Sequence, residues 1–245
     1  MLASTARAAF LALALGAVAA DSPAFAGELA DFNVAVERAE AHNRVAVGYL
    51  RTGNIDLASL EVDRLREAWA KLNERFAGKR PSIFDGNAYY IIAMTDIATR
   101  LITADLMLHT GHPDVTRQAL LAIRNDLYKL RRSAGITVLA DCVYDANNAM
   151  DALMGFDGRE LDWKSADTSF DIAGKTAVYD YLLSRCDSMA DEAVRKDPEF
   201  RRLIDGARAS MKFIPQAIAE HDTDLLHRVL IELRSFDNLL AFRFG

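Results

Sequence analysis

The sequence predicts an all-α protein of about eight helices in four antiparallel hairpins, stacked as a helical array or fused as four-helix bundles. Three observations point there. Apolar residues recur at spacings that alternate between 4 and 3, which keeps one stripe of a helix apolar. The same pattern returns behind three similar turns, the mark of an internal repeat. Glycine (13) and proline (5) are scarce in 245 residues, too few for the many tight turns of a sandwich or barrel.

The chain opens with Arg7, an apolar run from Ala8 to Ala20, and the small-x-small triplet Ala24-Phe25-Ala26. That order predicts a signal peptide over residues 1–26, export to the periplasm, and an all-α domain over 27–245 that starts at Gly27. No cysteine follows the apolar run, so no lipid anchor is expected. No later apolar stretch reaches membrane-spanning length without charges, so no stable membrane insertion is expected.

Three hairpins align without gaps on Asp56, Asp114 and Asp224, at offsets of 58 and 168 residues. The first, about 28–77, carries the stripe Phe32, Val36, Ala39, Asn43, Ala46 and Leu50 before its turn, and Val62, Leu65 and Leu72 after it. The second, about 87–133, repeats it with Tyr90, Met94, Ile97, Leu101, Ala104 and Leu108, then Leu120, Ile123 and Leu130. The last, about 197–243, has Phe200, Ile204, Ala207, Met211, Ile214 and Ile218, then Leu230, Leu233 and Leu240. In the turns, Gly53 and Gly111 fall where a helix ends and φ turns positive. The aligned aspartates fall where the next helix begins and free N–H groups need an acceptor. The space between Asp114 and Asp224 fits one more, degenerate hairpin at about 136–195. Its helices run from about Ile136 to Leu153 and from about Thr176 to Arg195, joined by a loop from Gly155 to Gly174.

The run Tyr49-Leu50-Arg51-Thr52-Gly53-Asn54-Ile55-Asp56-Leu57-Ala58 resembles the turn region of a tetratricopeptide repeat, and the likeness is confined to residues 46–65. The period of 58 departs from that family's 34. The resemblance therefore implies architecture alone, stacked helical hairpins. The long helices are similar in length to those of four-helix bundles such as the periplasmic c′-type cytochromes. The C-x-x-C-H haem-attachment motif is absent, and no c-type haem is expected.

Cys142 lies on the stripe of the fifth helix and Cys186 on the apolar side of the sixth. Counted from their common loop, both are roughly 18–20 Å along antiparallel helices at ~1.5 Å per residue, which predicts a Cys142–Cys186 disulfide in an exported protein. His109, His112 and His221, with Asp222, belong to turns that an up-and-down array places at one end. Imidazoles and a carboxylate suit Zn or Cu if they converge. Otherwise they are solvated turn residues. Asn43 interrupts an apolar stripe, where a polar side chain sets register or finds a local partner. Asp141, Asp145, Asn148 and Asp151 share one face of the fifth helix. They read as a solvated face, as partners of Arg131, Arg132 or Arg185, or as a carboxylate pair for acid–base work. Arg66, Arg124 and Arg234 fill one slot of the repeat, a stem over the stripe edge with a head near an acid.

The net charge of −6 disfavours nucleic acid as a partner. Nucleophile elbows, phosphate loops, zinc-protease helices and EF-hand loops are all missing from the sequence, and no cofactor is predicted. The reading is a non-enzymatic periplasmic binding or adaptor protein for a protein or peptide. The expected contact residues are Phe156, Trp163 and Phe170 in the acidic insertion, and Phe242 and Phe244 at the C-terminal end. The alternative is a metal- or cofactor-carrying bundle with its site at the histidine end.

Overall fold

The computed structural model describes the backbone of residues 23–245 except Ala77, and side chains from Gly27 onward. The expected signal peptide therefore lies outside the described residues, apart from the backbone of 23–26. The protein is all-α, with no strand among the described residues.

Four long helices form the first half: α1 (Pro23–Arg51), α2 (Ile55–Phe76), α3 (Ala88–His109) and α4 (Pro113–Ser133). Each packs on the next, and α4 returns to α1, so the ring closes as a four-helix bundle. The 4-3 stripes face inward. Phe32, Val36, Ala39, Ala46, Ile97, Leu101, Leu120 and Ile123 are all buried in one core. Phe32, Phe76, Phe84 and Tyr90 close one end, with centroid separations of 5.2–6.1 Å for the contacting pairs. Asn43 donates from Nδ2 to the Leu120 carbonyl at 3.1 Å, so the polar residue on the stripe ties α1 to α4.

The second half contains α5 (Leu139–Met154), α6 (Ala166–Met189), the short α7 (Glu192–Lys196), α8 (Pro198–Met211), α9 (Ile214–Glu220) and α10 (Thr223–Phe244). Its core is separate: Val143, Ala146, Met150, Tyr179, Leu183, Phe200, Ile204, Leu230 and Leu233. Here α5 packs on α6 and α10, and α10 on α8. The contact of α6 with α8 and α9 is thin. Closed bundles, rather than an open stack, are what the two cores describe. Cys142 and Cys186 meet inside the second one. Their Cα atoms are 5.4 Å apart, within disulfide range, and their sulfurs are at bonding distance.

Local differences from the sequence reading have physical causes. Helix α6 starts at Ala166, so half of the expected loop from Gly155 to Gly174 is helical. No proline interrupts 166–174, and Asp167 stands in the first turn where the helix dipole favours an acid. The capping carboxylate of α10 is Asp222, which accepts from Leu225 N at 2.8 Å, while the aligned Asp224 lies inside the first turn. His221 takes the left-handed conformation (φ 55°) that Gly53 and Gly111 take in the other copies. The stripe from Phe200 to Ile218 is not one helix. Pro215 lacks the N–H that a continuous helix requires, and the chain breaks at Lys212 and Phe213 between α8 and α9.

The bundles meet through a polar seam. Arg131 is buried and donates from Nε to Asp141 Oδ1 at 2.8 Å, with Nη2 2.7 Å from the same oxygen, and lies 3.4 Å from Glu40. Arg124 donates to Asn147 at 2.7 Å and lies over the Tyr144 ring. Arg44 donates to the Gly245 carbonyl at 2.6 Å, holding the end of α10 against α1.

Candidate functional site

A groove lies between α6 and the α8–α9 pair, beside the Pro215 break. It has a volume of about 870 Å³ and is lined mainly by apolar atoms. Ala173, Ala177 and Ala209 form its walls and leave the backbones accessible, while Met211 and Ile214 belong to the buried core behind them. The α6 wall spans Ala173 to Asp180, roughly 10 Å at ~1.5 Å per residue, and the facing wall runs from Asp205 of α8 through the break to Ile218 of α9. Phe170, Val178 and Tyr181 on α6 and Phe213 at the break are exposed large side chains of the same elements, Phe170 at 74%.

The polar groups sit at the edge. Arg208 donates from Nε to Asp180 at 3.0 Å and from Nη2 to Ser184 Oγ at 2.9 Å, bridging α8 to α6. Asp205 and Lys212 complete the lining with one charge of each sign. An apolar trough with few convergent polar groups is the usual make-up of a binding site. An apolar helix face or an elongated apolar group fits this trough, and its Asp and Arg side chains are engaged with each other at the edge.

The residues expected to make contacts fall elsewhere. Phe156 is buried, with Lys175 Nζ 4.5 Å from its ring centroid. Trp163 donates from Nε1 to Thr223 Oγ1 at 2.8 Å and stacks on His221. Phe244 packs edge-on against Phe200, centroids 5.0 Å apart, and Phe242 lies against Gly48 of α1. These four cap the second core or join the bundles; Phe170 alone of the five is an exposed side chain. They form no common patch, because the insertion lies at the α9–α10 end of the bundle and Phe242 and Phe244 at the opposite end of α10.

The histidines also serve locally. His109 Nδ1 is 2.8 Å from the Asp105 carbonyl, His112 Nδ1 is 3.2 Å from Thr110 Oγ1, and His221 lies under Trp163. No group of three or more His, Cys, Asp or Glu side chains converges among the described residues, so His109, His112, His221 and Asp222 do not gather into one ligand set. His112 belongs to the first bundle and His221 to the second, and the Asp222 carboxylate is used as a helix cap.

The acidic face of α5 is engaged. Asp141 pairs with Arg131, Asp145 lies 2.8 Å from the Tyr128 hydroxyl and 3.4 Å from Arg185, and Asp151 pairs with Arg234 at 2.5 Å. Arg132 instead lies over the Tyr128 ring.

Comparison with family models, with curated proteins and with solved structures gave no match.

Sequence reasoning missed four buried acids, Glu40, Glu61, Asp126 and Asp237. Glu40 lies beside Arg131, and burial pushes its carboxyl above the usual range against the pull of Arg131. Asp237 on α10 has no solvent exposure, and burial raises it to about 6, opposed by Asn147, Arg234 and Arg124. A signal was present. Asp237 occupies the repeat slot of Trp69 and Leu127, both buried, so it stands on an apolar stripe.

Proposed function

We propose that this chain is an exported, non-enzymatic binding protein that receives an amphipathic helix of a partner protein in the groove between α6 and α8–α9. The groove carries the reading. Its small-residue walls admit a helix at close range, its α6 wall runs for about two helical turns, and the exposed Phe170, Tyr181 and Phe213 extend the apolar surface on the elements that frame it. The cysteine pair supports export, since such a bridge persists in an oxidising compartment. Among the described residues no helix is long and apolar enough to cross a membrane.

The test is fluorescence anisotropy with a labelled Leu/Lys model helix, beside the same peptide broken by a central proline. The intact helix is expected to bind and the broken one to bind at least tenfold more weakly. Ala177→Trp, which fills the groove from its α6 wall, is expected to abolish binding with helicity unchanged by circular dichroism. Equal binding by Ala177→Trp and the parent protein would overturn the assignment.

A further inference from the structure

Helix α3 is apolar on two opposite faces. Tyr90, Ala93, Ile97, Leu101, Ala104 and Leu108 point into the first core. On the outer side, Ile92, Thr95, Thr99, Ile102 and Leu106 repeat the same 3-4 alternation, and all five are exposed. Ile92 is 50% exposed, Ile102 67% and Leu106 54%. A surface helix of a monomer carries polar residues there. Of the two strip threonines, Thr99 spends its donor on its own helix, its Oγ1 donating back to the Thr95 carbonyl at 3.0 Å. Two of the helix's charges are drawn sideways, Arg100 to Asp126 of α4 and Asp105 to Arg66 of α2 at 3.1 Å. What remains along the middle is an uncharged strip with bundle-seam periodicity.

We infer that α3 is a self-association helix, pairing antiparallel with α3 of a second copy about a two-fold axis level with Ile97. The strip is self-complementary in that register. It sets Ala88 against Leu106, Ile92 against Ile102 and Thr95 against Thr99, then the same three layers in reverse. Small meets large at the ends, the isoleucines meet in the inner layers, and the threonines face one another at the axis. Layers of this kind are how two helices interdigitate in an isologous contact. On the flank toward α4, Asp96 of one copy comes within about two residues' rise, roughly 3 Å, of level with Arg100 of the other, so charges of opposite sign meet at the edge. With α3 at ~33 Å long, the strip serves as the centre of a contact to which the exposed side chains of the neighbouring α2 and α4 add area.

The test is sedimentation velocity over a hundredfold concentration range on the purified protein, with Ile102→Glu and with cysteine variants. The parent is expected to shift from one copy to two as concentration rises. Ile102→Glu is expected to stay at one copy, with parent-like circular dichroism and thermal melting, since position 102 lies outside the core. A chain carrying Ile92→Cys mixed with one carrying Ile102→Cys is expected to give a disulfide-linked dimer under mild oxidation, and neither alone to do so. The native cysteines do not interfere, being paired with each other. A parent that remains a single copy throughout, or a dimer indifferent to Ile102→Glu, would overturn the proposal. Cross-linking of Ile92→Cys with itself would overturn the antiparallel register.

Discussion

Asp237 stands unexposed in the core of the second bundle. Its Oδ2 accepts from Arg234 Nη1 at 3.2 Å, and its Oδ1 has no hydrogen-bond partner. The Tyr179 hydroxyl, also unpartnered, is pushed well above its ordinary range by burial and by Asp237. Replacing Asp237 by Asn removes a charge that burial opposes. Burial raises the carboxyl from 3.8 to about 6, so the folded chain holds the proton more tightly than the unfolded chain. Its contribution to stability is therefore fully present below pH 3.8 and is lost as pH rises through 6. Above that the ionised group costs about 3 kcal/mol, since each tenfold change in proton affinity is worth about 1.4 kcal/mol. Asp237→Asn is expected to be more stable than the parent by up to about 3 kcal/mol at about pH 8, with the advantage shrinking to about 1 kcal/mol at about pH 4.5. Arg234 keeps Asp151 as a partner in the variant. Urea unfolding followed by circular dichroism at both pH values measures the difference, and other acids cancel in the comparison. Destabilisation by the same amount at both pH values would refute the reasoning, because Asp237 would then be acting as a required partner of its arginines.

Arg131→Ala leaves Asp141 and Glu40 buried at the junction without their cation, and is expected to cost about 3–5 kcal/mol in urea unfolding. A loss below ~1 kcal/mol would mean that water reaches those carboxylates, as it does at an exposed pair. Cys142→Ser with Cys186→Ser opens a loop of sequence separation 44 and is expected to cost about 4 kcal/mol by the chain-entropy relation. Reducing the parent with dithiothreitol should lower its melting temperature to the same extent, and a protein insensitive to both would show that the bridge does not form.

The fold was legible because the 3-4 stripes are long and repeat three times, and the stripe side chains from Phe32 to Leu240 lie buried where those stripes placed them, save Met94 and Ile218, which are half-buried. The site was less legible. Pro215 lies beside Ile214 of an apolar stripe, and the stripe reads past it, although a proline inside a helical pattern is a break signal. The groove lies beside that break. The insertion aromatics misled for another reason. Phe156 and Trp163 neighbour acids in sequence, which suggests a surface loop, but the loop folds over the end of the core, with Glu160 and Asp162 exposed and Asp157 turned to His227. Phe156 is buried and Trp163 meets Thr223 across 60 residues, a contact no local pattern encodes. The outer strip of α3 was visible as period but masked by the stronger inner one, since a helix apolar on two faces shows little amphipathic contrast.

The role of the groove is tested most directly by amide hydrogen exchange on the protein with and without the Leu/Lys model helix. Added protection is expected to be confined to residues 173–180 of α6 and 205–218 of α8–α9, the two walls of the groove. Protection concentrated in another part of the chain, or none in these segments at saturating peptide, would contradict the claim that this groove is where the protein binds.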